Sequence, residues 1–255
     1  MDTANELWLV PLSAGPAGVR HRVTLVCCPQ AGAASTAFLP LARALTAAGL
    51  PVAVLAAQLP GRGRRVREPF APSLDALAGP LAGAVARVPG PVVLYGHSMG
   101  ALLAHAVAAA LPVAPAELVV SGSRPPGAPS PTGVRPWAER TDEDLVAGLV
   151  RLGAPAEPFA DPDVRALALP VLRADLRAAA RYRPAPGRAL SCPLTAVAGE
   201  HDGEAPPEVM AGWAAHTEGG FAQRVLDGGH FLPGSCLPEL AAVLAEVIRR
   251  TVPAS

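Results

Sequence analysis

Short apolar runs closed by Pro or Gly alternate with helix-spaced segments through the first half of the chain. Residues 7–12 read as an edge strand. Residues 20–28 alternate and then become continuously apolar, the pattern of a buried strand, and Pro29 stops it. A loop of small residues follows, from Gln30 to Ser35. Residues 38–48 then place Leu39, Leu41, Ala42 and Leu45 at helical spacing, before Gly49 and Pro51 end the helix. Residues 52–56 form the next strand. A loop carrying Arg62, Arg64 and Arg65 leads to a helix over 74–88, with Ser73 as its N-cap. Pro91-Val92-Val93-Leu94-Tyr95 is another continuous, β-branched strand. Residues 101–110, rich in Ala and Leu without Pro or Gly, read as a helix. A further strand covers 117–122. This succession is the order expected of a largely parallel sheet with helices on both faces.

The rhythm breaks after Gly122. Residues 123–140 are too rich in proline for regular structure. Thr141, followed three residues on by Asp144, resembles a capping box at the start of a helix. Residues 163–182 read as helix broken near Pro170, with Val171, Leu172, Leu176 and Ala179 as one apolar stripe. Two helices and a long Pro-rich loop exceed an ordinary crossover. The expectation is therefore an inserted helical lid over 123–189, with the core formed by 1–122 and 190–255. The sheet resumes at 192–199, a helix is expected over 208–216, a last strand over 221–226 and a closing helix over 237–250.

Composition narrows the class. A length of 255 residues suits one α/β domain with an insertion. Half the residues are hydrophobic and few are aromatic, so one sizeable core must be built from Ala, Val and Leu. The 21 basic residues, all arginine, balance 21 acidic ones. Zero net charge points away from nucleic acid and from an anionic membrane surface. The first residues lack a basic stretch followed by an apolar one, and no apolar run is long enough to span a bilayer, so a cytoplasmic protein is expected. Cys27, Cys28, Cys192 and Cys236 lack metal-ligand spacing and read as buried thiols.

The chemistry centres on Gly96-His97-Ser98-Met99-Gly100. The bare G-x-S-x-G pattern is weak in a chain with 25 glycines. With a strand before it and a helix after it, it reads as a nucleophile elbow, in which a strained turn lifts Ser98 clear of the sheet. A serine needs a base, and the base needs an orienting acid. Of the six histidines, His21 sits at a strand start, His97 lies inside the elbow pointing elsewhere, and His105 is two turns into a helix. His201 neighbours an acid candidate and His216 ends a helix. His230 follows the last strand in a Gly-Gly-His loop, where catalytic groups of parallel sheets gather. Asp202 follows the preceding strand and is the preferred acid; Asp227 and Glu200 are its rivals. The order Ser98, Asp202, His230 is that of an α/β-hydrolase triad. One oxyanion amide is expected from Met99 and the other from the loop near Gln30 and Ala31. Arg62, Arg64 and Arg65 read as a solvated loop, with steering of an acidic partner as the alternative.

Several stretches together resemble the stand-alone type II thioesterases of polyketide and nonribosomal peptide synthesis. They are Cys28-Pro29-Gln30-Ala31-Gly32, Phe38, Leu59-Pro60-Gly61-Arg62-Gly63-Arg64, Gly96-His97-Ser98-Met99-Gly100-Ala101, Asp142-Glu143-Asp144-Leu145, Leu169-Pro170-Val171-Leu172-Arg173-Ala174-Asp175, Gly199-Glu200-His201-Asp202 and Gly229-His230-Phe231. The resemblance implies an α/β-hydrolase fold with a lid, and hydrolysis of acyl groups from the phosphopantetheine thiol of an acyl or peptidyl carrier protein. It also implies no metal and no bound cofactor. At matching positions it assigns Ser98 as nucleophile, Asp202 and His230 as its partners, and the Ala31 and Met99 amides as oxyanion donors. Gln30 stands where the family often has His, and Ala33 where it often has Gly. A small-molecule esterase, an acyltransferase or cyclase on the same fold, and a non-catalytic carrier-binding protein are the alternative readings.

Overall fold

The computed structural model describes residues 7–13, 22–128, 136–185, 187 and 189–252. His21 and the proline-rich run at 129–135 lie outside them. Seven strands form one sheet: β1 (Leu9–Ser13), β2 (Val23–Cys28), β3 (Val52–Ala57), β4 (Val92–His97), β5 (Glu117–Ser121), β6 (Leu194–Gly199) and β7 (Phe221–Leu226). Their spatial order is β1-β3-β2-β4-β5-β6-β7. Only β1 runs antiparallel. The parallel strands β2, β5 and β6 are buried along their whole length, which is why they read as apolar runs rather than alternating ones.

Helices cover both faces. On one side α1 (Leu39–Ala47) packs with the closing helix, α9 (Leu237–Thr251), against Leu25, Val54, Tyr95 and Val119. On the other, α2 (Leu74–Val85) and α3 (Met99–Ala110) lie against Val26, Leu94, Leu118 and Ala196. Ser73 caps α2 by accepting the Ala76 amide at 3.2 Å. Between β5 and β6 the chain forms α4 (Asp142–Arg151), the single turn α5 (Glu157–Ala160) and the long α6 (Pro162–Arg181). Thr141 caps α4 by accepting the Asp144 amide at 3.1 Å. After β6 come the short α7 (Pro207–Met210) and a 3₁₀ segment, Ala211–His216; after β7 comes the short α8 (Leu232–Ser235).

Four details differ from the sequence reading. α6 is continuous through Pro170 rather than broken there. Its buried face is Leu169, Leu172, Asp175 and Ala178, so the stripe is rotated from the expected one and includes a carboxylate. The region 123–140 contains a 3₁₀ turn, Trp137–Glu139. The helix expected over 208–216 is one α-turn followed by 3₁₀ structure. The four cysteines are free and buried. Burial pushes the Cys28 thiol up to about 12 and the Cys192 thiol up to about 11, so neither carries a reactive thiolate.

Candidate active site

The C-terminal ends of β4 to β7 converge on one edge of the sheet. Ser98 follows β4 with φ 54° and ψ −123°, the only positive φ outside glycine among the described residues. A serine in this region is strained, and the strain is held by what surrounds it. The Ser98 amide donates to the Ser121 carbonyl at 2.8 Å, and the Ala101 amide to the Ser98 carbonyl at 2.9 Å. The flanking glycines permit backbone contact: a Cβ at Gly96 would strike the Gly100 carbonyl, and one at Gly100 would strike the Cys28 carbonyl. The elbow is thus pressed directly against the loop that leaves β2. Met99 opens α3, where first-turn amides have no partner within the helix and attract negative charge.

The loop after β2 turns at residues 30–33. The Ala33 amide donates to the Gln30 carbonyl at 3.1 Å, and Gly32 has φ 78°. Ala31 sits in the middle of this turn and packs against the small apolar cluster formed by Leu145 of α4 with Leu169 and Leu172 of α6. The Gln30 carboxamide oxygen is buried without a hydrogen-bond partner.

His230 and Asp202 come from the loops after β7 and β6. Those loops touch through backbone: the His201 amide donates to the Gly228 carbonyl at 2.9 Å, and a Cβ at Gly199 would strike the Gly228 and Gly229 carbonyls. This contact brings His230 Nδ1 to 3.0 Å from Asp202 Oδ2. Asp202 Oδ1 accepts the amides of Glu204 at 2.9 Å and Ala205 at 3.2 Å. Burial opposes ionisation of Asp202, but the hydrogen bond and charge of His230, with those two amides, outweigh it and hold the carboxyl below its ordinary value. An ionised Asp202 accepting from Nδ1–H leaves Nε2 of His230 as the basic nitrogen. The rival acids are elsewhere: Asp227 is exposed and bonds His201 at 3.2 Å, and Glu200 is exposed beside that pair. Glu200, His201 and Asp227 bring ligand atoms within 4.8 Å of one another on the outer surface, away from the buried pair.

His97 is a correction. Its ring does not point away from the site but packs 5.4 Å from the His230 ring and 6.1 Å from Phe231. Its Nδ1 lies 2.9 Å from Ser121 Oγ, which also bonds the Tyr95 hydroxyl. Burial, reinforced by the charge of His230, lowers its pKa to about 3, so the ring is a neutral spacer behind His230. His105 lies in a separate buried cluster with Tyr182 (2.8 Å), Trp213 and His216. Two of the three loop arginines are also a correction. Arg62 and Arg65 are buried and paired, Arg62 with Asp175 and Arg65 with Glu68, while Arg64 is exposed. No regular spacing announced the Arg62–Asp175 pair; the signal was a carboxylate at i+3 from Leu172 within an otherwise apolar face. A cleft of about 290 Å³ at the opposite edge, lined by Ala108, Leu111, Pro115, Leu190, Ser191 and Cys192, has no histidine or carboxylate in its lining to activate the serine or the cysteine.

The thioesterase domain family model matches residues 23–251. A probable cadicidin biosynthesis thioesterase of Streptomyces griseus is 36% identical over 240 residues, covering 91% of this chain. The chain spans 65% of that relative's length. The thioesterase PikA5 of Streptomyces venezuelae is 35% identical, with 91% of this chain and 82% of the relative covered. Among solved structures, the RedJ thioesterase of the prodiginine pathway in Streptomyces coelicolor superposes with a TM-score of 0.80 at 37% identity, covering 93% of this chain and 95% of that one. The type II thioesterase BorB from the borrelidin cluster superposes with a TM-score of 0.77 at 33% identity, covering 95% and 97%.

Proposed function

This chain belongs to the thioesterase family, and from that premise we propose that it clears acyl groups from the phosphopantetheine arm of carrier proteins through a Ser98–His230–Asp202 triad. His230 Nε2 accepts the Ser98 hydroxyl proton as Oγ attacks the thioester carbonyl carbon. The tetrahedral oxyanion is met by the Ala31 and Met99 amides. Collapse breaks the C–S bond, and the proton on His230 leaves with the thiol. Water then attacks the acyl-serine with His230 again as base, releasing the carboxylic acid and restoring Ser98. Asp202 keeps the Nδ1–H tautomer and stabilises the imidazolium formed at each proton transfer. We assign residues 123–189 as a lid over this site, since Ala31 packs into the small core of α4 and α6.

The observation that carries the reading is the His230–Asp202 contact at the sheet edge where Ser98 is held at positive φ. That similar thioesterases belong to cadicidin, prodiginine and borrelidin biosynthesis supports the carrier-bound substrate and the editing role. The test is thiol release from an acyl-pantetheine thioester, with mass spectrometry of the trapped enzyme. Wild type is expected to turn over and to carry an acyl adduct on Ser98, and Ser98→Ala to do neither. Undiminished turnover in Ser98→Ala sinks the serine mechanism.

A further inference from the structure

The helix α6 reaches down to the loop after β2 through one buried carboxylate. Asp175 Oδ2 accepts the Gly32 amide at 2.8 Å. The same carboxylate takes a two-pronged contact from Arg62, at 2.5 Å and 2.7 Å. Arg62 Nη1 also donates to the Ala33 carbonyl at 3.3 Å, so one guanidinium holds both the carboxylate and the far end of the turn. Arg62 is held in turn by Gln58, whose side-chain amide donates to the Arg62 carbonyl at 2.8 Å and whose Oε1 accepts from Ser35 at 2.8 Å. The result is a buried ring of bonds around residues 32–35, closed by α6. Asp175 is 5% and Arg62 7% exposed. A buried ion pair contributes little net stability compared with apolar side chains of the same volume, so stability alone does not explain its presence.

Position does explain it. In a turn with glycine at positive φ in its third position, the peptide between the two central residues is the part free to flip. Here that peptide joins Ala31 to Gly32. Its N–H is bound to the Asp175 carboxylate and the next carbonyl, of Ala33, to Arg62, so the chain on the C-terminal side of Ala31 is fixed, and with it the place of the Ala31 amide, which belongs to the preceding peptide. Ala31 meanwhile packs against the cluster of Leu145, Leu169 and Leu172, and a Cβ on Gly32 would sit 3.4 Å from Leu172. We propose that Asp175 and Arg62 are positioning residues that hold the oxyanion loop from α6, so that the Ala31 amide is aimed correctly only while α6 is seated. This rests on the serine-thioesterase reading above. It makes the oxyanion hole a joint product of the sheet and the helices between β5 and β6.

The experiment compares wild type, Asp175→Asn, Asp175→Ala and the double variant Arg62→Met/Asp175→Leu, which replaces the pair with apolar volume. Each is assayed for kcat and KM on an acyl-pantetheine thioester and for the affinity of an alkyl trifluoromethyl ketone, whose adduct with serine carries an oxyanion. Loss of an entire oxyanion donor costs roughly 10²–10³ in kcat. A misaimed one is expected to lower kcat by about 10- to 100-fold in Asp175→Ala and in the double variant, with KM little changed. Ketone affinity should fall by the same factor. Asp175→Asn, which keeps an oxygen for Gly32, should lie between. A folded double variant with wild-type kcat and ketone affinity overturns the inference. So does a fall in kcat without a matching fall in ketone affinity, or an effect on KM alone. Wild type lacking Ser98-dependent turnover instead overturns the reading on which the inference stands.

Discussion

Ser98, His230 and Asp202 each owe their placement to a backbone contact that only glycine permits: Gly96 and Gly100 at the elbow, Gly199 where the loops after β6 and β7 cross. The division of labour within the pair follows from the hydrogen bonds. Asp202→Asn preserves the shape but can donate to Nδ1, which favours the wrong tautomer; kcat is expected to fall by about 10³–10⁴ with little loss of fold, read by steady-state turnover and a denaturant melt. The neutral histidines give a pH prediction. His97 and His105 titrate at about 3 and about 4 in the folded protein, both pushed down chiefly by burial, against an ordinary value near 6.5. Between those limits the unfolded chain binds the extra protons. Stability contributed by neutral burial is therefore complete above pH 6.5 and lost progressively as pH falls below it. From pH 6.5 to 5 the loss should reach about 1.5 kcal/mol per histidine, measured as a shift of the urea midpoint; a flat profile contradicts it. The pairing of His230 with Asp202 was legible because each follows a strand in chain order. The role of His97 was not, because a residue number says nothing of which side of a strand end its ring occupies.

At the scale of elements, α6 is the part the sequence described least well. Pro170 suggested a break, yet the helix runs through it, with Asp161 capping its start by accepting the Asp163 amide at 2.8 Å and the Val164 amide at 3.2 Å. Packing of Leu169 and Leu172 on one side overrides the local preference. The exposed proline still lacks an amide for the helix and crowds the preceding turn. Pro170→Ala should therefore stabilise the protein by about 1–2 kcal/mol, less than the full helix penalty because the unfolded chain also gains freedom. A higher urea midpoint is the expected result. A lower one contradicts the prediction. The apolar stripe was misplaced for a related reason: the polar member of the buried face, Asp175, broke the pattern that periodicity relies on, and its partner lies far off in sequence. The strands, by contrast, were legible almost to the residue, because central parallel strands are buried on both faces and need continuous apolar runs.

For the whole molecule, the proposed active site and the fold's clasp lie at opposite edges of the sheet. At the N-terminal end of β5, the buried Glu117 accepts from Arg250 of α9 and from Thr195 of β6, the latter at 2.6 Å, tying the closing helix to two strands. Arg250→Ala leaves that carboxylate without its charge partner. Because the arginine is half exposed, the expected cost is about 1–3 kcal/mol in a denaturant melt, with kcat/KM unchanged. A loss of activity at equal stability would contradict the separation of the two edges. Among the described residues no helix is long and apolar enough to cross a membrane. The measurement that bears most directly on the proposed function is single-turnover hydrolysis of an acyl-carrier protein, with the matched acyl-pantetheine thioester and an oxygen ester alongside, in wild type and Ser98→Ala. Rapid release from the carrier, abolished in Ser98→Ala and much slower on both free esters, is the expected result. Faster Ser98-dependent turnover of the free oxygen ester than of the carrier-bound thioester would contradict it.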